Sequence, residues 1–143
     1  MKRILFLTAS LLILVDLTFG QKSNGIQVPV AVQSAFAKQF PGAAATWSKE
    51  NSKEFEAEFR INDNQVSANY KTDGTWVETE SVIPASQLPG AVISRVNSKY
   101  PGNAVTKAEK IEQPGNKLQY EITFTVKGKK RSMELNPDGS AVK

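Results

Sequence analysis

The chain has 143 residues, 18 Lys and Arg against 14 Asp and Glu for a net charge of +4, and neither Cys nor His. With 40% hydrophobic and 22% charged residues, its composition is that of a globular domain rather than a disordered chain. The missing residue types exclude a thiol nucleophile, a disulfide, a Cys/His zinc site, a Ser-His-Asp or Cys-His pair and an imidazole proton shuttle within this chain, and with them most hydrolase chemistry.

Met1-Lys2-Arg3 is followed by an apolar run, Ile4 to Val15, broken only by Thr8, Ala9 and Ser10, and then by Leu17-Thr18-Phe19-Gly20. A basic start, a short apolar stretch and small residues where a signal peptidase reads make residues 1–20 a cleavable secretory signal peptide, cut after Gly20. A membrane anchor needs about 20 apolar residues, and this run is shorter and ends on Asp16. We therefore expect a periplasmic or secreted protein with no stable membrane insertion after cleavage. Residues 21–27 read as a linker, and 28–143 as one domain.

The domain carries an internal repeat. Val28-Pro29-Val30-Ala31-Val32 matches Leu88-Pro89-Gly90-Ala91-Val92, and Phe40-Pro41-Gly42 matches Tyr100-Pro101-Gly102, both 60 residues apart. Phe55-Glu56-Ala57-Glu58-Phe59 matches Tyr120-Glu121-Ile122-Thr123-Phe124, and Asp73-Gly74 matches Asp138-Gly139, both 65 apart. The extra residues fall around Pro114-Gly115-Asn116-Lys117, a place that tolerates insertion. The copies are 28–81 and 88–143, joined through 81–87, and the second stops with its last element a stub.

Each copy opens with a helix. Pro29 and Pro89 suit a first helical turn. Val28, Val32, Ala35/Phe36 and Phe40 recur at helical spacing, as do Leu88, Val92, Val96 and Tyr100. Pro41-Gly42 and Pro101-Gly102 stop both helices. Strand patterning follows. Phe55, Ala57, Phe59 and Ile61 face one way, and Glu54, Glu56, Glu58 and Arg60 the other. Asn62-Asp63-Asn64 is a hairpin turn; Val66, Ala68 and Tyr70 then point inward, and Asp73-Gly74 turns the chain into Trp76 to Val82. In the second copy Leu118, Tyr120, Ile122, Phe124 and Val126 point inward, Lys127-Gly128-Lys129 turns, and Met133 and Leu135 point inward. The expected fold is α+β: tandem units of a helix and a four-strand antiparallel meander, both helices packed on one face of a curved sheet and the other face in solvent.

The helices ending in Phe-Pro-Gly and Tyr-Pro-Gly, the Phe-Glu-Ala-Glu-Phe and Tyr-Glu-Ile strands, and Lys-Thr-Asp-Gly-Thr-Trp-Val-Glu-Thr-Glu at 71–80 together resemble the PepSY-like, β-lactamase-inhibitor-like proteins, small exported proteins of Bacteroidetes-type bacteria. The resemblance covers 28–143. It implies tandem helix-plus-meander units like those of the β-lactamase inhibitor protein, which binds its enzyme with the uncovered sheet face. It also implies a binding or inhibitory role. None of the inhibitor's contact residues match onto this chain.

Trp47 aligns with Lys107 in the repeat, and Trp76 shares strand parity with Glu78 and Glu80. Both indoles are therefore expected on the open sheet face, where exposed Trp beside charge makes a binding hot spot; packing at a sheet edge is the alternative. Glu56 and Glu58, with Glu54, form a carboxylate row near Glu78 and Glu80. On an open face such a row stays solvated, so it reads as a binding surface or a plain solvated one rather than an acid/base pair. The expected contacts for a periplasmic protein or peptide are Trp47, Glu56, Glu58, Trp76 and Glu78. No catalytic residue, cofactor or metal site is assigned, since Asn62-Asp63-Asn64 lacks the Gly and terminal Glu of a calcium loop. Residues 21–85 carry 6 basic and 8 acidic groups, and 86–143 carry 10 and 5. Lys127, Lys129, Lys130 and Arg131 are thus an alternative site for an anionic partner, in a protein that binds a small ligand or envelope polymer (sugar, lipid or cation) through its basic second repeat, or otherwise a solvated turn. Nucleic acid is not an expected partner, as no binding motif is present.

Overall fold

The computed structural model describes residues 22–23 and 25–142. The expected signal peptide, residues 1–20, and its cleavage site lie outside the described residues. Helix α1 spans Val30–Gln39 and is followed by β2 (Thr46–Lys49), β3 (Glu54–Ile61), β4 (Asn64–Lys71) and β5 (Trp76–Ile83). Helix α2 spans Gly90–Lys99 and leads into β6 (Val105–Gln113), β7 (Lys117–Val126) and β8 (Lys129–Leu135). These seven strands form one antiparallel sheet in chain order, and a two-residue strand, β1 (Lys22–Ser23), pairs parallel to β2. Strand β5 runs on through Ile83 before a single 3₁₀ turn at Ala85–Gln87. The expected link at 81–87 is therefore half strand. The second half has three strands and an isolated Leu135–Ala141 bridge, not four full strands.

Both helices start after a proline that stays extended, and so acts as N-cap rather than first helical residue. Its carbonyl still accepts the first helical N–H, from Gln33 to Pro29 at 3.1 Å and from Ile93 to Pro89 at 3.1 Å. Phe40 and Tyr100 close the helices by donating back to Phe36 and Val96, each at 2.8 Å. The β3–β4 turn places Asn62 and Asp63 at φ 48° and 66°. Lys127 and Gly128 do the same between β7 and β8, at 48° and 75°. Two consecutive left-handed residues match the twist of paired strands.

Both helices lie on one face of the sheet, each over its own core. Val32 and Phe36 pack on Trp47, Phe55, Ala57, Phe59, Val66, Ala68 and Tyr70. Val92 and Val96 pack on Ala108, Tyr120, Ile122, Phe124 and Leu135. Between the two cores this face turns polar. Thr79, Ser81, Lys110 and Glu112 sit there by register, with Lys110 and Glu112 ion-paired at 3.1 Å. Glycines lock the helices to the strand turns. A Cβ on Gly74 (φ 86°) or Gly139 (φ 80°) would lie 2.6 Å from the carbonyl oxygen of Ala31 or Ala91. Asp73 and Asp138 cap these turns by accepting the backbone N–H of Thr75 and Ser140, each at 2.9 Å. The Thr75 backbone bond holds the Asp73 carboxyl below the usual range, and the Ser140 hydroxyl, donating at 2.6 Å, does so for Asp138 together with the backbone bond.

Candidate functional site on the uncovered sheet face

Strand register places the acidic side chains. Glu56, Asn69 and Glu78 form one cross-strand row, and Gln113 continues it by donating from Nε2 to Glu78 at 2.9 Å. Glu58, Ser67, Glu80, Ile111 and Gln119 form the next row. Glu109 and Glu121 face one another in a third. All of these alternate with the core residues, so they lie on the face that neither helix covers. Adjacent strands are about 4.8 Å apart, which brings the carboxylates into mutual repulsion.

This face is not a simple solvated row. Glu109 is 8%, Ile111 5% and Gln119 3% exposed. Burial raises the Glu80 carboxyl to about 7, helped by the charges of Glu78, Glu109, Glu121 and Glu56. Burial also raises Glu56, opposed by the Ser48 hydroxyl that donates to it at 3.0 Å. Lys107 pairs with Glu109 at 2.7 Å. The Asn69 side-chain oxygen is buried with no hydrogen-bond partner among the described residues.

Glu56, Glu58 and Glu78 thus stand on the uncovered face, as their strand parity predicts. Both tryptophans do not. Trp47 is 0% exposed, stacked edge-on to Phe36 at 5.3 Å beneath α1. The expectation that it faces solvent is overturned because β6 carries a bulge between Val105 and Lys107. Beyond that bulge Trp47 corresponds to Ala108, which is 2% exposed, and Lys107 corresponds to Thr46. Trp76 is also on the helix side. A bulge between Asn69 and Tyr70 pairs Trp76 with Tyr70, so it loses the parity of Glu78. Its indole N–H donates to Thr79 Oγ1 at 3.0 Å, and its ring packs on the α1 core. It lines a cleft of about 390 Å³ at the junction of the halves, with Gln39, Phe40, Glu112 and Leu118.

The four cations are exposed but do not share a surface. Lys130 lies opposite Thr125 on the uncovered side, Lys129 and Arg131 lie opposite Val126 and Phe124 on the helix side, and Lys127 is in the turn. Asn62 and Asp63 are the central residues of the hairpin turn. Sequence reasoning set Glu80 beside the carboxylate row without naming it a contact, and missed Glu109, Glu121, Asn69 and Gln119. For Glu121 the signal was present, since it occupies the place of Glu56 in the matched strands. No helix among the described residues is long and apolar enough to cross a membrane.

Residues 53–140 match the family described as Putative beta-lactamase-inhibitor-like, PepSY-like. No curated protein sequence matches the chain. A protein from Bacteroides eggerthii described as putatively periplasmic superposes with a TM-score of 0.74 at 20% identity, over 82% of this chain and 88% of that one. A DUF2874 family protein from Bacteroides ovatus gives 0.73 at 24% identity, over 83% and 87%. A BLIP-like protein from Bacteroides fragilis gives 0.69 at 22%, over 83% and 86%. At these identities the likeness shows a shared α+β fold. The family match covers more than half the chain, which belongs to the PepSY-like family.

Proposed function

As a member of the PepSY-like family, this chain has an α+β fold with one sheet face turned away from its helices, and we propose that it is an exported, non-catalytic module that binds a protein or peptide with that uncovered face. Inhibition is the form such binding takes when the partner is an enzyme. One observation carries the reading. Among the described residues no element covers the face opposite the helices, yet Glu109 at its centre is buried and burial raises the Glu80 carboxyl. A surface that needs only solubility has no use for a carboxyl raised by burial, because exposed glutamates serve that purpose. The eggerthii relative's description as periplasmic and the fragilis relative's as BLIP-like agree with this reading. So does the basic-then-apolar start of the chain, which we take as the export signal. The same reading treats the two halves as copies of one unit. Its support is the matching proline caps, the matching glycine contacts and the common register of β3 with β7.

The split of Lys129 and Arg131 from Lys130 across the sheet argues against the anionic-ligand alternative. The test is partner capture from a periplasmic extract of the source bacterium. The purified protein would be run beside Ser67→Trp, which places a bulky ring at the middle of the uncovered face, and beside Val30→Trp on exposed α1 as control. The expected result is a partner held by the native protein and the Val30 variant and lost by the Ser67 variant. Equal capture by all three would refute binding through this face.

A further inference from the structure

The two edges of the sheet differ. Along β2 the short strand β1 lies against Thr46 and Trp47. Along β8 the described chain returns only at the far end, through the Leu135–Ala141 bridge and the bond from the Val142 N–H to the Glu134 carbonyl at 3.2 Å. In the first half the same place is filled. The Tyr70–Trp76 pair corresponds to Leu135–Ala141, and from there β5 runs on beside β4, setting Glu80 against Ser67 and Ser81 against Val66. Ser132 and Arg131 take the places of Ser67 and Val66 at the common spacing of 65, and no described residue pairs with them on the outer side. Successive residues of a strand turn their backbone groups to opposite sides. Since the Glu134 carbonyl points out to Val142, the N–H and C=O of Ser132 and Lys130 point outward too.

This open stretch is cationic. Lys129, Lys130 and Arg131 are exposed, and no ion pair among the described residues includes them. Across β7 they meet Val126, Thr125 and Phe124, none of them acidic. Lysine on an edge guards against indiscriminate pairing, and here it argues against a second copy as occupant. Glu134 and Leu135 are already engaged, so two copies paired along 129–133 would set these cations against one another. The same charges favour an acidic strand.

We propose that the β8 edge receives an extended acidic segment of a partner protein, added antiparallel along residues 129–133 as β5 is added to β4. This edge is a different surface from the binding face above. Main-chain bonds to Lys130 and Ser132 hold the segment, and its side chains supply the selectivity. Lys130 lies on the uncovered side, and Lys129 and Arg131 lie on the helix side. A compact anion meets one side only, whereas the side chains of a strand alternate between both, as these cations do.

The test is a titration of the isotope-labelled protein with Ac-Val-Thr-Glu-Glu-Glu-Thr-amide, followed by backbone amide NMR and hydrogen exchange. Two control peptides separate charge from pairing. One has Gln for each Glu. The other keeps the charges but is N-methylated at the first Thr and the central Glu, which stand against Ser132 and Lys130 in the proposed register. The expected result is shifts centred on residues 129–133, slowed exchange of the Lys130 and Ser132 amides, and affinity lower by at least about tenfold for both controls. Lys130→Gln/Arg131→Gln should weaken the acidic peptide to the level of the Gln peptide, and its spectrum reports whether the variant is folded. Equal binding of the N-methylated peptide would mean a charged patch without strand pairing. That result, equal binding of the Gln peptide, or the absence of shifts along β8 would each overturn the proposal. Ser67→Trp should leave this titration unchanged, so the binding face and the β8 edge stand or fall separately.

Discussion

The two halves of the sheet put different side chains in corresponding places. In the first, Trp47 lies across from Ala57; in the second, Ala108 lies across from Ile122. Phe36 beneath α1 corresponds to Val96 beneath α2, and Tyr70 to Leu135. One core is aromatic, with Phe36, Trp47 and Phe59 in edge contact at 5.1–5.3 Å, and the other is mainly aliphatic. A large residue opposite a small one can fill the same layer as a small one opposite a larger one, because packing is decided by the pair. The place in the pleat is shared between the halves, and the size of the side chain is not.

The sharpest break of that comparison is at Trp47. Trp47→Ala should cost about 3–5 kcal/mol by leaving a large cavity under α1. Lys107→Ala, at the position the raw repeat spacing matches to Trp47, should cost less, about 1–2 kcal/mol, through loss of its ion pair with the buried Glu109. Denaturant unfolding of both variants checks this, and similar losses would mean that the β6 bulge is misplaced. Next come the glycines, where the halves should behave alike. Gly74→Ala and Gly139→Ala each force a Cβ onto a helix carbonyl at positive φ, and each should cost about 2–3 kcal/mol. A loss at one position alone would show that the halves are held together differently.

The smallest effect belongs to the uncovered face, where Glu80 takes the middle of the sheet. Its carboxyl is raised to about 7 in the folded state, above the ordinary glutamate value that it recovers on unfolding. The native state thus holds a proton that the unfolded chain releases, and stability falls as pH rises from the ordinary glutamate range through about 7. Glu80→Gln should remove that fall. The gain should be about 1–2 kcal/mol at pH 8 after allowance for solvent screening, with none at pH 4. Thermal unfolding across pH checks it. A variant that tracks the native protein at every pH would show that Glu80 is solvated, and the binding-face reading would lose its main support. The turn carboxyls Asp73 and Asp138 act in the opposite sense. Their lowered values favour the fold above the ordinary carboxylate range, and that contribution is lost as pH falls.

Much of this was readable in the chain. The helices, the turns at Asn62-Asp63 and Lys127-Gly128, the inward rows of β3, β4 and β7 and the outward placement of Glu56 and Glu58 all follow from local pattern. Period, turn residues and strand alternation depend on neighbours within a few positions, and those are written in order. What the pattern could not supply was the face of Trp47 and Trp76. Each lies beside a bulge, or is compared across one, and a single extra residue moves every later side chain to the other side of the sheet. Nor could it show that Glu80, Glu109 and Glu121 meet. They lie on three strands, two of them brought together only by the α2 crossover between β5 and β6. Sequence determined which residues can sit on a half-buried strand or cap a helix. The tertiary structure decided which face each one takes and which charges become neighbours, because register and burial are properties of the assembled sheet.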